Sequence, residues 1–264
     1  AGCRLRRCKL AGLDLSAGRS QGLRVSDCDL TGVRLGQSDL TGLQCTGSTL
    51  TGASLAGCTL EGAGLSDCRM EKASLRAARL KGAQIGDSDL SGADLQAAEL
   101  GGAAFSNSKL TGARVARMSA AGASLAGCEL ADVDLSGLDL SGCDLGGAVL
   151  SRARFAGCDL SEARLAEADA RGADFGGARL VRTDLSGADL SAARKPLLNR
   201  VMERTANNEF RWTGTLFPTQ ASAQDAGMSL TEYEDFVFGA GLLNQKDPVA
   251  AWQDVEKRQE RAVA

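Results

Sequence analysis

The chain has 264 residues, with 30 Lys plus Arg against 33 Asp plus Glu and a net charge of −3, which argues against a generally basic binder of nucleic acid. It contains no histidine, which excludes Ser-His-Asp and Cys-His nucleophiles, His-bearing zinc sites and histidine pH switches. No apolar run approaches the ~20 residues of a membrane helix and no basic-then-apolar leader opens the chain, although its start at Ala1 leaves room for an upstream piece.

The composition changes near residue 195. Residues 1–194 carry every cysteine and no proline, tryptophan or tyrosine, whereas residues 195–264 carry all three prolines and both tryptophans. Two units are therefore expected, a repeat over 1–194 and a different tail over 195–264.

The first unit repeats every five residues. All residue numbers divisible by five from Leu5 to Leu190 form one ladder, mostly leucine, including Leu10, Leu15, Leu55, Leu95, Phe105, Leu145, Phe155 and Phe175. Two residues before each ladder position stands Ala, Cys, Ser or another small or apolar residue. Glycine is the commonest residue two after it, and Asp is frequent just before it. A period of five fits neither a helix at 3.6 nor a strand at 2. It fits a chain that turns a corner every five residues, with the ladder residue and the residue two before it pointing inward. Stacked coils of this kind pair edge to edge at about 4.8 Å, and each needs its neighbours to bury its ladder.

Cys3, Cys8, Cys28, Cys58, Cys68, Cys128, Cys143 and Cys158 all lie two before a ladder position, and Cys45 lies on the ladder. All nine are expected to point inward as small buried hydrophobes, interchangeable with Ala and Ser. No C-x-x-C occurs, so neither metal binding nor disulfides are expected. Nine unpaired thiols also suit a reducing compartment, and a cytoplasmic location is expected. Along the ladder, Ala120 is offset by Met118 and Cys45 by Leu43. Ser20 with Gly18, and Ala170 with Ala168, have no such offset and predict a thin core.

The segments Ala93-Asp94-Leu95, Ala173-Asp174-Phe175 and Ala188-Asp189-Leu190 carry a resemblance to the pentapeptide-repeat family, whose consensus is A-(D/N)-L-x-x. The resemblance covers about residues 1–194. It implies an all-β solenoid, a right-handed quadrilateral β-helix with four pentapeptides per coil. About nine and a half coils would give a rod of roughly 45 Å.

In the tail, Pro196 stops the repeat, and Leu197, Leu198, Val201 and Met202 recur as on one helix face. Ser229 to Glu232 reads as a capping box opening a second helix with Tyr233, Phe236 and Val237. Asp247-Pro248 opens a third with Val249, Trp252 and Val255. A small α-helical C-terminal segment is the expectation. Thr215-Leu216-Phe217-Pro218-Thr219, Ala223 to Leu230, Glu234-Asp235-Phe236-Val237 and Asp247 to Trp252 resemble an internal stretch of the thermophilic-type two-metal aminopeptidases. The matching stretch belongs to that enzyme's amino-terminal domain, and the family's metal ligands lie further along than this chain reaches. Glu232, Glu234 and Asp235 read as a solvated face beside a helix cap.

No catalytic, cofactor-binding or metal-ligating set emerges, and no cofactor is expected. The leading expectation is a non-enzymatic scaffold that binds another protein, with no membrane and with self-association possible through an end of the rod or the tail. One alternative is a fragment or fusion of a metal-dependent aminopeptidase. Another is a DNA-mimicking, topoisomerase-protecting rod, as in some pentapeptide-repeat proteins. Charge speaks against the last: residues 1–35 carry Arg4, Arg6, Arg7, Lys9, Arg19, Arg24 and Arg34 against Asp14, Asp27 and Asp29, whereas a mimic should be acidic along its length.

Overall fold

The computed structural model describes residues 3–193. The expected helical tail, 195–264, lies outside the described residues.

The chain winds as an all-parallel β-solenoid. Five three-residue strands, β1 (Arg4–Arg6), β2 (Arg24–Ser26), β3 (Gln44–Thr46), β4 (Gly64–Ser66) and β5 (Gln84–Gly86), stack in the order β1-β2-β3-β4-β5. Each pairs with a strand 20 residues on, Leu5 against Val25, Val25 against Cys45 and so forward. Single parallel bridges repeat that offset on the other faces, from Lys9 against Asp29 to Asp169 against Asp189. Four pentapeptides therefore make one coil.

The hydrogen bonding explains the period. A ladder amide donates to the coil above, as Leu10 N to Asp29 O at 2.8 Å, and the residue before the ladder donates to the coil below, as Asp29 N to Cys8 O at 2.9 Å. Most corners close on themselves: Val33 N donates to Leu30 O at 3.0 Å. Such a turn needs a left-handed residue at its third position. Every fifth residue from Arg7 to Ala192 has that conformation, with φ between 50° (Asp87) and 73° (Gly177). Glycine adopts it without steric cost, which is why it recurs there.

The interior is a single apolar column. Leu55, Leu95, Phe105, Leu145, Phe155, Phe175 and Leu190 are buried to within 1% of complete. The first coil departs from the expected pattern. Leu5 and Leu10 are half-buried, and Leu15 is 43% exposed beside Leu13 at 46%. The ladder puts these side chains on the inner face, but an inner face is dry only when coils lie on both sides of it. The first coil has a neighbour on one side only among the described residues.

The thin core expected at Ala168 and Ala170 is closed, both residues being buried. The coil that holds Ala170 also holds Phe175, whose ring stacks on Phe155 at 4.8 Å between centroids. Gly18 and Ser20 are half-buried, at the edge of the open first coil. A void of ≈ 10 Å³ lies between Phe105, Leu110, Val115 and Met118, in the coil that holds Ala120. Its lining is wholly apolar, so it is a packing defect with nothing to orient a polar ligand.

Candidate interaction surface

The outer faces are built by the residues just before and just after each ladder position. All thirteen Asp residues that precede a ladder position do the same structural work. Each accepts the amide of the residue two further on, from Asp14 with Ser16 at 3.1 Å to Asp189 with Ser191 at 2.9 Å. The amide at the corner would otherwise lack a partner, and a short carboxylate side chain supplies one. The frequency of Asp at this position therefore has a local cause.

The acids are also matched by bases. Arginines stacked one coil above a carboxylate pair with it: Arg34 with Asp14 at 3.1 Å, Arg114 with Asp94 at 3.5 Å, Arg152 with Asp132 at 2.5 Å, Arg154 with Asp134 at 3.2 Å, and Arg182 with Glu162. Exposed pairs of this kind add little stability. Their effect here is to offset part of the charge on the lateral rows, although acid also stands over acid, as Asp159 over Asp139 and Asp189 over Asp169.

One face lacks charge in its middle stretch. Gln44, Thr46, Gly64, Ser66, Gln84, Gly86, Ala104, Ser106, Ser124 and Ala126 cover the strand face of five successive coils. Charge returns only at its corner, with Asp67 and Asp87. On each of the other three faces, the same stretch carries Arg, Lys, Asp or Glu in most coils, for example Arg69, Asp89, Lys109 and Glu129 on the next one.

The seven cysteines Cys28, Cys45, Cys58, Cys68, Cys128, Cys143 and Cys158 are buried and unpaired. Cys8 is half-buried and Cys3 exposed, against the expectation that all nine point into a closed core. Both lie in the open first coil. A small thiol reagent should therefore label these two quickly under native conditions and the other seven only on denaturation, as read by intact mass; fast labelling of more than two would contradict the burial.

The thiols and hydroxyls two before the ladder are not simple fillers, a role that their repeat position does not show. On the face of β1–β5 the corner does not close on itself. Instead the amides of Cys28, Cys68 and Ser88 donate to Ser48 Oγ (3.1 Å), Ser88 Oγ (3.0 Å) and Ser108 Oγ (3.2 Å) of the coil above. Those hydroxyls pass their own protons to carbonyls two residues back, Ser88 to Gly86 O at 2.9 Å and Ser108 to Ser106 O at 3.2 Å. Beyond this spine the ordinary corner returns, with Cys128 N donating to Leu125 O at 3.2 Å. The available signal is Ser or Cys every twenty residues at 28, 48, 68, 88 and 108, but Cys128 continues the series where the corner already closes on itself, so residue type alone does not mark where the spine ends.

Burial pushes the thiols of Cys128, Cys143 and Cys158 up to about 11 from the ordinary 9.0. Hydroxyls of Ser16, Thr41 and Ser186, at 2.5, 2.7 and 2.6 Å, hold Asp14, Asp39 and Asp184 below the ordinary 3.8. The two shifts act in opposite directions. A raised thiol contributes stability that is complete below pH 9.0 and is lost as pH rises through about 11. A lowered carboxyl contributes stability present above 3.8 and lost as pH falls through its folded value. The urea midpoint should thus be flat between these windows and fall on both sides of them. A steep change near neutrality would contradict this, there being no histidine to titrate there.

Among the described residues no group of three His, Cys, Asp or Glu side chains is placed to hold a metal ion. No helix among them is long and apolar enough to cross a membrane. The sequence profile described as pentapeptide repeats (8 copies) matches residues 28–67, 53–92, 88–127, 128–165 and 158–194. The profile described as thermophilic metalloprotease (M29) matches residues 184–264. No curated protein matches the chain. Among solved structures it is similar to HetL, a pentapeptide repeat protein involved in heterocyst differentiation regulation from the cyanobacterium Nostoc, at 28% identity over 72% of this chain and 87% of that one, with a TM-score of 0.44. It is also similar to QnrB1, a plasmid-mediated fluoroquinolone resistance protein, at 19% identity over 76% and 98% of the two chains, TM-score 0.37. A pentapeptide repeat protein from the Arabidopsis thaliana thylakoid lumen matches at 29% identity over 40% and 68%, TM-score 0.27.

Proposed function

This chain belongs to the pentapeptide-repeat family, and from that premise we propose that it is a non-enzymatic scaffold whose solenoid binds another protein along its uncharged lateral face. The observation that carries this reading is the five-coil strand face from Gln44 to Ala126, flat, small in side chain and free of charge, on a rod whose other faces are studded with ion pairs. Burying that face against a partner desolvates no charged group, and charged residues are what interface cores avoid. Asp67 and Asp87 at the corner fall on its rim, where charge is tolerated. The thirteen capped aspartates support this reading over a duplex-like acidic rod, because the acids serve the corners and several of them, Asp14, Asp94 and Asp134 among them, pair with an arginine one coil above. The right-handed sense of winding follows the family, and the unpaired thiols fit a reducing, cytoplasmic setting.

A photocrosslinking residue placed at Ser106 of the full chain should join a discrete set of proteins in cells. The same residue at Ala116, on the opposite face, should join none. Equal labelling from both positions would sink the proposal.

The match to the M29 profile over residues 184–264 favours a second reading, a piece of a two-metal peptidase fused to the rod. Two-metal hydrolysis needs ligands bridging both ions and a base within reach. Residues 195–264 contain no histidine. The full chain is therefore expected to release no amino acid from leucyl substrates with zinc, cobalt or magnesium added. Chelator-sensitive turnover that copurifies with it would establish the peptidase reading instead.

A further inference from the structure

A buried cysteine two before the ladder turns its sulfur toward the ladder residue 23 positions back, in the coil below. That neighbour usually offers only a carbonyl. The thiols of Cys58, Cys143 and Cys158 donate to Leu35, Ala120 and Leu135 O at 2.9, 2.7 and 2.9 Å, and that of Cys128 to Phe105 O. Cys68 is the exception, because the ladder residue beneath it is Cys45. The two sulfurs lie 3.8 Å apart, and Cys68 Sγ also meets Cys45 O at 3.5 Å and Ser66 O at 3.3 Å. Both residues are 1% exposed. Among the described residues theirs is the one hydrogen-bonded pair of thiols.

Burial protects an isolated thiol, because the thiolate that must react and the sulfenic acid it becomes are both polar and lose their hydration in an apolar core. A second thiol in contact changes the outcome. It consumes the sulfenic acid as it forms, at an effective concentration that no dissolved thiol reaches. The geometry also sets the order of events. Cys68 follows the exposed corner residue Asp67, whereas Cys45 sits at the centre of β3. The Cys45 thiol beside it holds Cys68 below the ordinary 9.0 against the effect of burial, and the same contact together with burial pushes Cys45 up. Cys68 is thus the sulfur to react first, and Cys45 the one to resolve it.

We infer that Cys45 and Cys68 form a modification site, a buried dithiol that closes to a disulfide when a small peroxide enters the rod. The Cys68 sulfur attacks one peroxide oxygen, the O–O bond breaks, and the second oxygen leaves as water with the Cys68 proton. The Cys45 sulfur then attacks the Cys68 sulfenic acid, the S–O bond breaks, and a second water leaves with the Cys45 proton. Each sulfur gives up one electron, and the two peroxide oxygens are reduced to water. The sulfurs close from 3.8 Å to a bond of about 2.0 Å. That bond ties the third coil to the fourth directly behind Gln44 and Thr46 of the lateral face. The site does not depend on whether that face binds a partner.

The test treats the reduced full chain with hydrogen peroxide, denatures it in N-ethylmaleimide and digests it after Arg, Lys and Glu. Cleavage at Arg34, Glu61 and Arg69 places Cys68 on one peptide, 62–69, and Cys45 with Cys58 on another, 35–61. The two peptides should appear joined, with fragment spectra locating the bond at Cys45, and dithiothreitol should part them. Cys128, Cys143 and Cys158 are as deeply buried but face carbonyls. They serve as internal controls and should oxidise at least about tenfold more slowly. The variant Cys68→Ser places there the residue already present at 48, 88 and 108, and it should leave Cys45 reduced under the same treatment. Failure of Cys68 to join Cys45, or joining no sooner than the three control thiols oxidise, would overturn the site. So would a bond from Cys68 to Cys58, or oxidation of Cys45 that continues undiminished in Cys68→Ser, since the paired thiol would then play no part.

Discussion

Leu145→Ala is expected to lower the free energy of unfolding by about 2–5 kcal/mol, the sum of lost transfer energy and the cavity left behind. Leu145 is wholly buried, and its ladder neighbours Leu125 and Leu165 in the adjoining coils are buried with it. Side chains held from above and below collapse poorly into a vacated space, which places the cost toward the upper part of that range. Leu15→Ala makes the comparison sharp. It is the same substitution on the same ladder, but Leu15 is already 43% exposed, so the loss should be below about 1 kcal/mol. Urea denaturation of both variants, followed by far-ultraviolet circular dichroism, tests the pair. Equal losses would mean that the first coil is as well covered as the middle, and that the open end is filled.

Ser88→Ala should cost about 1–3 kcal/mol, although it deletes a single oxygen. The hydroxyl accepts the amide of Cys68 at 3.0 Å and donates to Gly86 O at 2.9 Å. Removing it strands a buried amide, and a stranded donor costs more than the net worth of the bond. Ser88→Cys keeps both an acceptor and a donor and should be milder. Cys158→Ala supplies the control. That thiol only donates, to Leu135 O at 2.9 Å, and Leu135 O already accepts Leu138 N at 3.2 Å. The methyl group left at 158 strands nothing, so the change should be well below that at Ser88. If both substitutions cost the same, the serine is mere filler, as its place in the repeat suggests.

Ladder, corner and inward thiols are legible in the repeat because each has its own residue type at a fixed offset from the leucine: Leu95, Gly92 and Cys128 announce their places. The number of corners per coil is not, since a period of five is the same for any polygon; it comes from the family resemblance, and the Leu5–Val25 register supplies it here. Leu15 breaks the expectation of burial because its local pattern is that of Leu55 or Leu95. What differs is the coil beneath it, which no local pattern encodes. The aspartates stand out in the sequence only as a preference. Their cause, the corner amide two residues on, needs the backbone path. The lateral face is hidden for a related reason: Gln44, Gly64, Gln84, Ala104 and Ser124 are twenty residues apart and meet only once the coil length is known.

That twenty-residue coil has a consequence for how such a gene can change length. Losing one pentapeptide leaves every leucine on the ladder and every corner in register, so the rod should still fold. It also turns everything downstream by a quarter of a revolution. Arginines then stand over different carboxylates, and the serine spine is cut from the coils it serves. A loss or gain of four pentapeptides restores the alignment and alters only the height of the rod. Tolerance of such changes should therefore come in two tiers, a fine one for folding and a coarse one for whatever the faces recognise.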